Sequence, residues 1–162
     1  MGSKVFFISD LHLGHKNISG FSGDLRGGNN SEEHDEWIIE QWNNTVRPKD
    51  VVYVLGDVAF TPTGLTMCQK LNGHKKLVMG NHDTFSAHEY QWVGFSILPG
   101  IHRYKEFWLS HAPIHPNELR GKRNIHGHVH AKSINDDRYI NVCVEMCYGK
   151  PIFLDDLRNQ LC

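Results

Sequence analysis

Five short polar motifs in the sequence could bind metal ions or take part in acid–base catalysis. Their side chains include carboxylates, imidazoles and one amide, and none of the motifs contains a sulfur ligand. They are Asp10-Leu11-His12, Gly56-Asp57, Gly80-Asn81-His82-Asp83, Ser110-His111 and Gly127-His128-Val129-His130. Oxygen and imidazole donors suit divalent ions such as Mn²⁺, Fe²⁺ or Zn²⁺. The chain also has 12 histidines in 162 residues, an excess that favours metal ligation or acid–base chemistry. These donors are more than one ion needs, and they suit two ions that share a carboxylate.

The spacing within two of the motifs is regular. Asp10 and His12 are two residues apart, as are His128 and His130. In a β-strand this spacing places both side chains on one face. We therefore expect each pair to be able to hold one ion.

Each motif follows a segment that is typical of a buried strand. Apolar runs at 5–8, 51–55 and 76–79 predict three strands in the N-terminal half. Between them, the sequence predicts a glycine-rich loop over 20–30, a helix from about 31 to 47 and a helix from 61 or 62 to 71. Ligands of open α/β sheets bind beyond the carboxyl ends of the strands, so we expect the motifs to converge.

The C-terminal half is predicted to be mostly β. Short strands are expected at 95–98, 102–105, 107–109, 124–126 and 139–144, with a closing helix over 153–161. We find neither an internal repeat nor a linker, and we therefore predict a single domain over residues 1–162. Four cysteines, at positions 68, 143, 147 and 162, are expected to be reduced thiols with packing roles.

Composition excludes several classes of protein. The formal net charge is −1, which gives no general basic surface for long duplex nucleic acid. Apolar runs stay well below the ~18 residues of a membrane span. The N-terminus lacks the apolar segment of a signal peptide, so a cytoplasmic protein is expected.

The five motifs, in this order, resemble the calcineurin-like metallophosphoesterase family, and the resemblance covers most of the chain. The stretch from Ser9 to Ile18 is similar to small bacterial and phage members. The resemblance implies an α/β fold, a four-layer αββα sandwich with a dinuclear metal site at the strand ends. It also implies a phosphoric ester hydrolase in which a metal-bridging hydroxide attacks phosphorus.

The resemblance further implies a role for each motif residue. One metal ion would take Asp10, His12 and His130, the other would take Asn81, His111 and His128, and Asp57 would bridge them. His82 would contact the phosphate or protonate the leaving oxygen, with Asp83 holding its imidazole in the required tautomer. Asn81 would also contact the phosphate. Manganese is the favoured ion, with zinc, iron or nickel as alternatives.

Two further residues are predicted to bind substrate. His15 follows the first motif and could reach the phosphate, and Arg26 lies in the glycine-rich segment, where a mobile cation could close on an anion. The alternative for both residues is a solvated loop position.

Three functional hypotheses follow. The first is a phosphodiesterase that acts on a nucleotide, a cyclic nucleotide or a short oligonucleotide, because His82 would supply an acid for a poor leaving group. The second is a phosphomonoesterase acting on proteins or nucleotides, which the same ligands would serve. The third is a non-catalytic scaffold that keeps the fold. A homodimer through exposed edge strands is left open.

Overall fold

The computed structural model describes residues 2–159, so Cys162 and the predicted helical positions 160 and 161 lie outside the described residues. The strands are β1 (Val5–Ile8), β2 (Val51–Val54), β3 (His74–Val78), β4 (Phe95–Leu98), β5 (Ile101–Tyr104), β6 (Phe107–Ser110), β7 (Arg123–His126), β8 (Tyr139–Asn141) and β9 (Ile152–Phe153). The α-helices are α1 (Ile18–Ser22), α2 (Ser31–Thr45), α3 (Pro62–Met67), α4 (Ala87–Trp92), α5 (Val144–Cys147) and α6 (Leu154–Asn159). Short 3₁₀ helices span Gly23–Leu25, Cys68–Lys70 and Pro116–Glu118.

The first sheet has the strand order β4-β3-β2-β1-β9. Its four strands β1 to β4 are parallel, with Val5 opposite Val51 at the start of the β1–β2 pair. The short β9 is antiparallel to β1. Because parallel strands end on the same side, the polar residues that follow β1, β2 and β3 are brought to one edge.

The second sheet has the order β5-β6-β7-β8, in which β6, β7 and β8 are parallel. Its apolar face packs against the first sheet: Phe107 and Ile125 share a buried cluster with Phe7 and Tyr53. The carboxyl ends of β6 and β7 are followed by the histidine motifs. Two sheets therefore contribute to one site.

Helices cover the opposite face of the first sheet. Ile38 and Trp42 of α2 are buried there in a second cluster with Leu65 and Tyr90. Helix α2 begins where the side chain of Asn30 accepts a hydrogen bond from the Glu33 amide. The outer face of the second sheet is covered near Trp108, whose Nε1 donates to the Leu119 carbonyl. The α/β sandwich with two facing sheets is confirmed.

Several predicted elements differ from the structure. The segment 20–30 is partly helical, because α1 and the 3₁₀ turn Gly23–Leu25 occupy its first half. Strand β8 ends at Asn141 rather than at residue 144, and Cys143 is the residue that precedes α5. The closing helix follows β9 and begins at Leu154, one residue later than predicted. Helix α4 was not predicted; its Ser86–Glu89 capping box is the signal that could have revealed it.

Candidate metal centre

The five motifs meet where the two sheets adjoin. The amide of Asp10 donates to the Gly56 carbonyl at 3.0 Å, which joins the ends of β1 and β2. The amide of Gly127 donates to the His111 carbonyl at 2.8 Å and joins the ends of β6 and β7. Between the sheets, the Ser9 amide donates to the carbonyl of Val142. The predicted convergence of the motifs at the strand ends is therefore present.

The backbone at these motifs is left-handed rather than extended. Among residues 2–159, five of the eight non-glycine residues with positive φ are candidate ligands: Asp10, His12, Asp57, His128 and His130. Such a conformation costs on the order of 1–3 kcal/mol per residue and concentrates at functional sites. The expectation that the paired residues share a strand face was wrong. Tight turns aim the side chains instead. Asp10 and His12 do lie in one group of ligand atoms, as expected of a pair that holds one ion, whereas His128 and His130 lie in different groups.

The first group is formed by Asp10, His12 and His130. Their ligand atoms all lie within 4.8 Å of one another. Oδ1 of Asp10 is 3.4 Å from Nε2 of His12 and 3.8 Å from Nε2 of His130. The resemblance assigned these three residues to one metal ion, and the structure brings them together.

A second group lies next to the first. Asp10, Asp57 and His111 also offer ligand atoms within 4.8 Å. Oδ2 of Asp57 lies 3.4 Å from His111 Nε2 and 3.6 Å from His12 Nε2. Asp57 thus lies between a histidine of each group, as a bridging ligand must, while Asp10 also contacts both groups.

Asn81 and His128 complete the second group. Oδ1 of Asn81 is 2.9 Å from His111 Nε2 and 3.1 Å from His128 Nδ1. The two imidazoles also approach each other, with His128 Nδ1 3.2 Å from His111 Nε2. All seven predicted ligands therefore lie in one cluster.

The atoms of the second group fit a bound cation. His111 Nδ1 donates to the Leu55 carbonyl at 2.7 Å, which leaves a lone pair on Nε2 when the ring is neutral. That lone pair faces the acceptor oxygens of Asn81 and Asp57. Acceptors that converge in this way need a positive charge between them, and an oxygen and imidazole set suits a divalent ion.

The electrostatics of the residues agree with this arrangement. Burial raises the pKa of Asp10, but hydrogen bonds from His12, Ser9 and the His128 amide outweigh it and hold the pKa well below its usual range. Burial raises the pKa of Asp57, but the adjacent His111 side chain and the hydrogen bond from the His82 amide lower it below its ordinary value. The cluster therefore presents ionised carboxylates.

One oxygen of Asp10 is fixed by the protein, while the other faces the histidines. Oδ2 accepts from Ser9 Oγ at 2.6 Å, from the His128 amide at 2.9 Å and from Cys143 Sγ at 3.2 Å. Cys143 therefore does more than fill space, since its thiol helps to orient a candidate ligand. Gly127 permits this approach, because a Cβ there would collide with Ser9 Oγ.

Glu145 is a site residue that the sequence analysis missed. Its Oε1 accepts from His130 Nδ1 at 3.0 Å and from Arg26 Nε at 2.8 Å. Burial raises the pKa of Glu145, but these two partners lower it to about 2. The carboxylate fixes the His130 tautomer, so Nε2 carries the lone pair that faces Asp10.

The structure corrects the prediction for Arg26. The side chain is buried, and its guanidinium donates to Glu145 and to the carbonyls of Asp10 and Leu11. It is therefore not a mobile cation that can close on a substrate. Arg26 instead holds the first motif and Glu145 in place.

The predicted role of Asp83 is also corrected. Oδ1 accepts from the Val58 amide and from the Tyr90 hydroxyl, while Oδ2 accepts from the amides of Asp57 and Gly80. Both oxygens are therefore occupied by groups other than the His82 imidazole. Asp83 joins the loops that follow β2 and β3.

His82 and His15 lie beside a cavity of about 410 Å³ at the cluster. The His82 amide donates to Asp57 Oδ1 at 2.9 Å, and its exposed ring lies 5.0 Å from the ring of Phe60. The His15 ring lies 4.6 Å from Phe60 on the same cavity wall. Their roles toward substrate stay predictions.

Comparison with known proteins identifies the family. The calcineurin-like phosphoesterase profile matches residues 3–154. The chain belongs to this family. An uncharacterized protein of Methanocaldococcus jannaschii is 34% identical over 164 residues, which span 94% of this chain and 88% of that protein. The Gene 66 protein of Mycobacterium phage L5 is 30% identical, over 82% of this chain and 80% of its own length.

Solved structures share the calcineurin-like fold. A protein of unknown function from Aquifex aeolicus has a TM-score of 0.76 and 26% identity, and the alignment covers 99% of this chain and all of that one. A Pseudomonas putida nuclease has a TM-score of 0.55 with 17% identity, over 78% of this chain and 61% of its own. An archaeal phosphodiesterase has a TM-score of 0.50 with 18% identity, over 86% and 82%.

Family membership and the ligand cluster together indicate metal-dependent phosphoester hydrolysis.

Within residues 2–159, none of the helices combines the length and apolar character needed to cross a membrane.

Proposed function

We propose that the protein is a dinuclear metal-dependent phosphodiesterase that cleaves a nucleotide-type phosphodiester. The observation that carries this proposal is the position of Asp57 between the two ligand groups, 3.6 Å from His12 and 3.4 Å from His111. Two divalent ions held there would polarise the phosphoryl oxygens and supply a nucleophile near neutral pH. We propose Mn²⁺ as the ion, with Zn²⁺, Fe²⁺ or Ni²⁺ as alternatives.

The chain's own groups can serve the cleavage of a diester. When water attacks a phosphodiester, the bond to one ester oxygen breaks and the leaving alkoxide or aryloxide benefits from a proton donor. The backbone of His82 is fixed by its hydrogen bond to Asp57, while the exposed ring borders the cavity. We propose that His82 protonates the leaving oxygen and that His15, which borders the same cavity, contacts the phosphate.

The fold comparisons and the charge add support. Two proteins of this fold are, by their names, a nuclease and a phosphodiesterase. The net charge of −1 favours a small nucleotide ester or a short oligonucleotide over long duplex DNA.

The proposal is tested by comparing hydrolysis of bis(p-nitrophenyl) phosphate and p-nitrophenyl phosphate. Metal-stripped protein is reloaded with Mn²⁺, Zn²⁺ or Mg²⁺ and measured beside Asp57→Asn, with the exposed Asp156→Asn as matched control. We expect metal-dependent cleavage that favours the diester and is lost in Asp57→Asn together with one or both ions. Preference for the monoester would instead make the protein a phosphatase. Two bound ions with no turnover of either ester would indicate a non-catalytic scaffold.

A further inference from the structure

The cavity beside the metal centre has two chemically different sides. The polar side is formed by His12, His82, His130 and Glu145, which belong to the cluster or contact it. The other side is apolar and consists of Ile18, Phe21, Leu25, Phe60 and Ala131. We refer to these five residues as the apolar wall. A phosphoester bound at the metal centre would place one of its ester groups next to this wall.

Aromatic rings connect the cluster to the outer end of the wall. The Phe60 ring is stacked on His12 with centroids 4.9 Å apart. His15 stands edge-on to Phe60 at 4.6 Å and edge-on to Phe21 at 5.9 Å. A series of rings thus runs from a candidate metal ligand to Phe21. Flat groups stack well on such surfaces.

The outer part of the wall is exposed to solvent. Phe21 is 78% exposed and Leu25 is 43% exposed, although both are large apolar side chains. Both belong to the segment formed by α1 and the Gly23–Leu25 turn. Covering this surface with an apolar ligand is favourable, because the apolar area is removed from water. Apolar surface beside convergent polar groups is the usual composition of a small-molecule site.

The charges around the wall limit what can bind there. Among the described residues that line the cavity, none is a lysine or an arginine. Arg26 follows the segment directly, but its guanidinium is buried and pairs with Glu145. A second phosphate at the wall would therefore lack a cationic partner, and an uncharged group would bind better.

We propose that the apolar wall binds one flat, uncharged aromatic group of the phosphoester, such as a nucleoside base. This inference rests on the proposed phosphoesterase function and narrows its substrate class. The favoured substrates carry a single phosphate, and nucleoside polyphosphates and oligonucleotides are disfavoured. Stacking of a base on an aromatic side chain contributes enough free energy to raise affinity about tenfold or more.

The test uses phosphonates, which the enzyme cannot hydrolyse, so that binding is separated from turnover. Calorimetry on Mn²⁺-loaded protein compares phenylphosphonate, methylphosphonate and 4-carboxyphenylphosphonate. We expect phenylphosphonate to bind about tenfold more tightly than methylphosphonate. The added carboxylate is expected to weaken binding of the aromatic ligand.

Phe21→Ala is the decisive variant, because the side chain is exposed and its loss leaves the core intact. We expect the preference for the phenyl group to fall toward unity while methylphosphonate affinity stays the same. Ile101→Ala is the matched control, since Ile101 is 56% exposed on β5 and does not line the cavity. That variant is expected to bind all three ligands like the wild type.

Equal binding of phenyl- and methylphosphonate, or tighter binding of the carboxylate derivative, would overturn the proposed subsite. An unchanged phenyl preference in Phe21→Ala would do the same, as would absence of binding by any phosphonate. Hydrolysis of diesters in these cases would leave the proposed function intact. The protein could also prefer the phenyl group in a way that depends on Phe21 and yet hydrolyse none of the esters. That result would support the subsite and contradict the proposed phosphodiesterase function.

Discussion

The Glu145 carboxylate accepts a hydrogen bond from His130 Nδ1 at 3.0 Å. Its other close partner is the buried guanidinium of Arg26. The side chains of Arg26, Glu145 and His130 are therefore linked in series, and the series ends at His130, a candidate metal ligand. Removal of a carboxylate that orients a ligating imidazole in this way typically weakens metal binding 10- to 100-fold.

We predict that Glu145→Gln binds metal about 10- to 100-fold more weakly than the wild type. The amide can reproduce the shape of the carboxylate, but it cannot provide the negative charge that makes His130 a stronger ligand. Competition with a fluorescent chelator measures the affinity. Glu118→Gln, on the surface, is the control and is expected to bind normally. Wild-type affinity in Glu145→Gln would show that the contact does not orient His130.

The role of His82 can be tested with leaving groups of different pKa. If the imidazole donates a proton, His82→Ala slows esters with poor leaving groups by about 10²- to 10⁴-fold and esters with good leaving groups much less. Metal content is expected to stay the same. His88→Ala, on the exposed side of α4, serves as control. An equal loss for all leaving groups would mean that His82 binds phosphate instead.

Asp83→Asn tests whether this residue joins two loops or serves His82. An amide can accept at only one atom, so at least one amide donor of Asp57, Val58 or Gly80 is left unpaired. We expect the free energy of unfolding to fall by on the order of 3 kcal/mol. Tyr90→Phe removes a single donor and is expected to cost about 1 kcal/mol. Chemical denaturation measures both values. Unchanged stability with lost activity would restore the link between Asp83 and His82.

A pH-dependent contribution to stability is expected from Asp50, which lies outside the ligand cluster. Burial raises its pKa, but the amides of Lys4 and Arg47 donate to the carboxylate at 2.8 and 2.9 Å and lower the pKa below the ordinary value of 3.8. A lowered folded pKa stabilises the protein above the unfolded value. That stabilisation is lost as the pH falls through the folded pKa.

The measurement is the free energy of unfolding of the wild type and Asp50→Asn, with a chelator present. We expect the variant to be less stable by about 1–3 kcal/mol at neutral pH, because one amide loses its acceptor. The difference is expected to shrink as the pH falls below 3.8. Asp24→Asn, on the surface, is expected to change stability by less than about 0.5 kcal/mol at every pH. A difference that does not depend on pH would contradict the role of the charge.

Much of the fold was predictable because apolar runs mark buried strands. The runs before Asp10 and Asp57 match β1 and β2 closely, and the motifs after them lie where parallel strands must end. The periodicity of the sequence could not show that Asp10 and His128 are left-handed, since that conformation is imposed by hydrogen bonds between the two sheets. A prediction from periodicity therefore places strand ends where the structure has turns.

The roles of Arg26, Asp83 and Glu145 could not be predicted for a related reason. Glu145 contacts Arg26 across 119 positions of the chain, and no local pattern marks such a pair. Asp83 follows His82 directly, which suggested a partnership, but its carboxylate turns toward backbone amides. Sequence spacing indicates which residues are neighbours along the chain, whereas tertiary packing decides which way their side chains point.

The division of the ligands between the two sheets has a thermodynamic consequence. Asp10, His12, Asp57 and Asn81 follow strands of the first sheet, whereas His111, His128 and His130 follow strands of the second. Ions bound by both sets would act as a cross-link, so the free energy of metal binding would add to the free energy that holds the sheets together. We therefore expect loss of the ions to loosen the whole sandwich as well as to disable the centre.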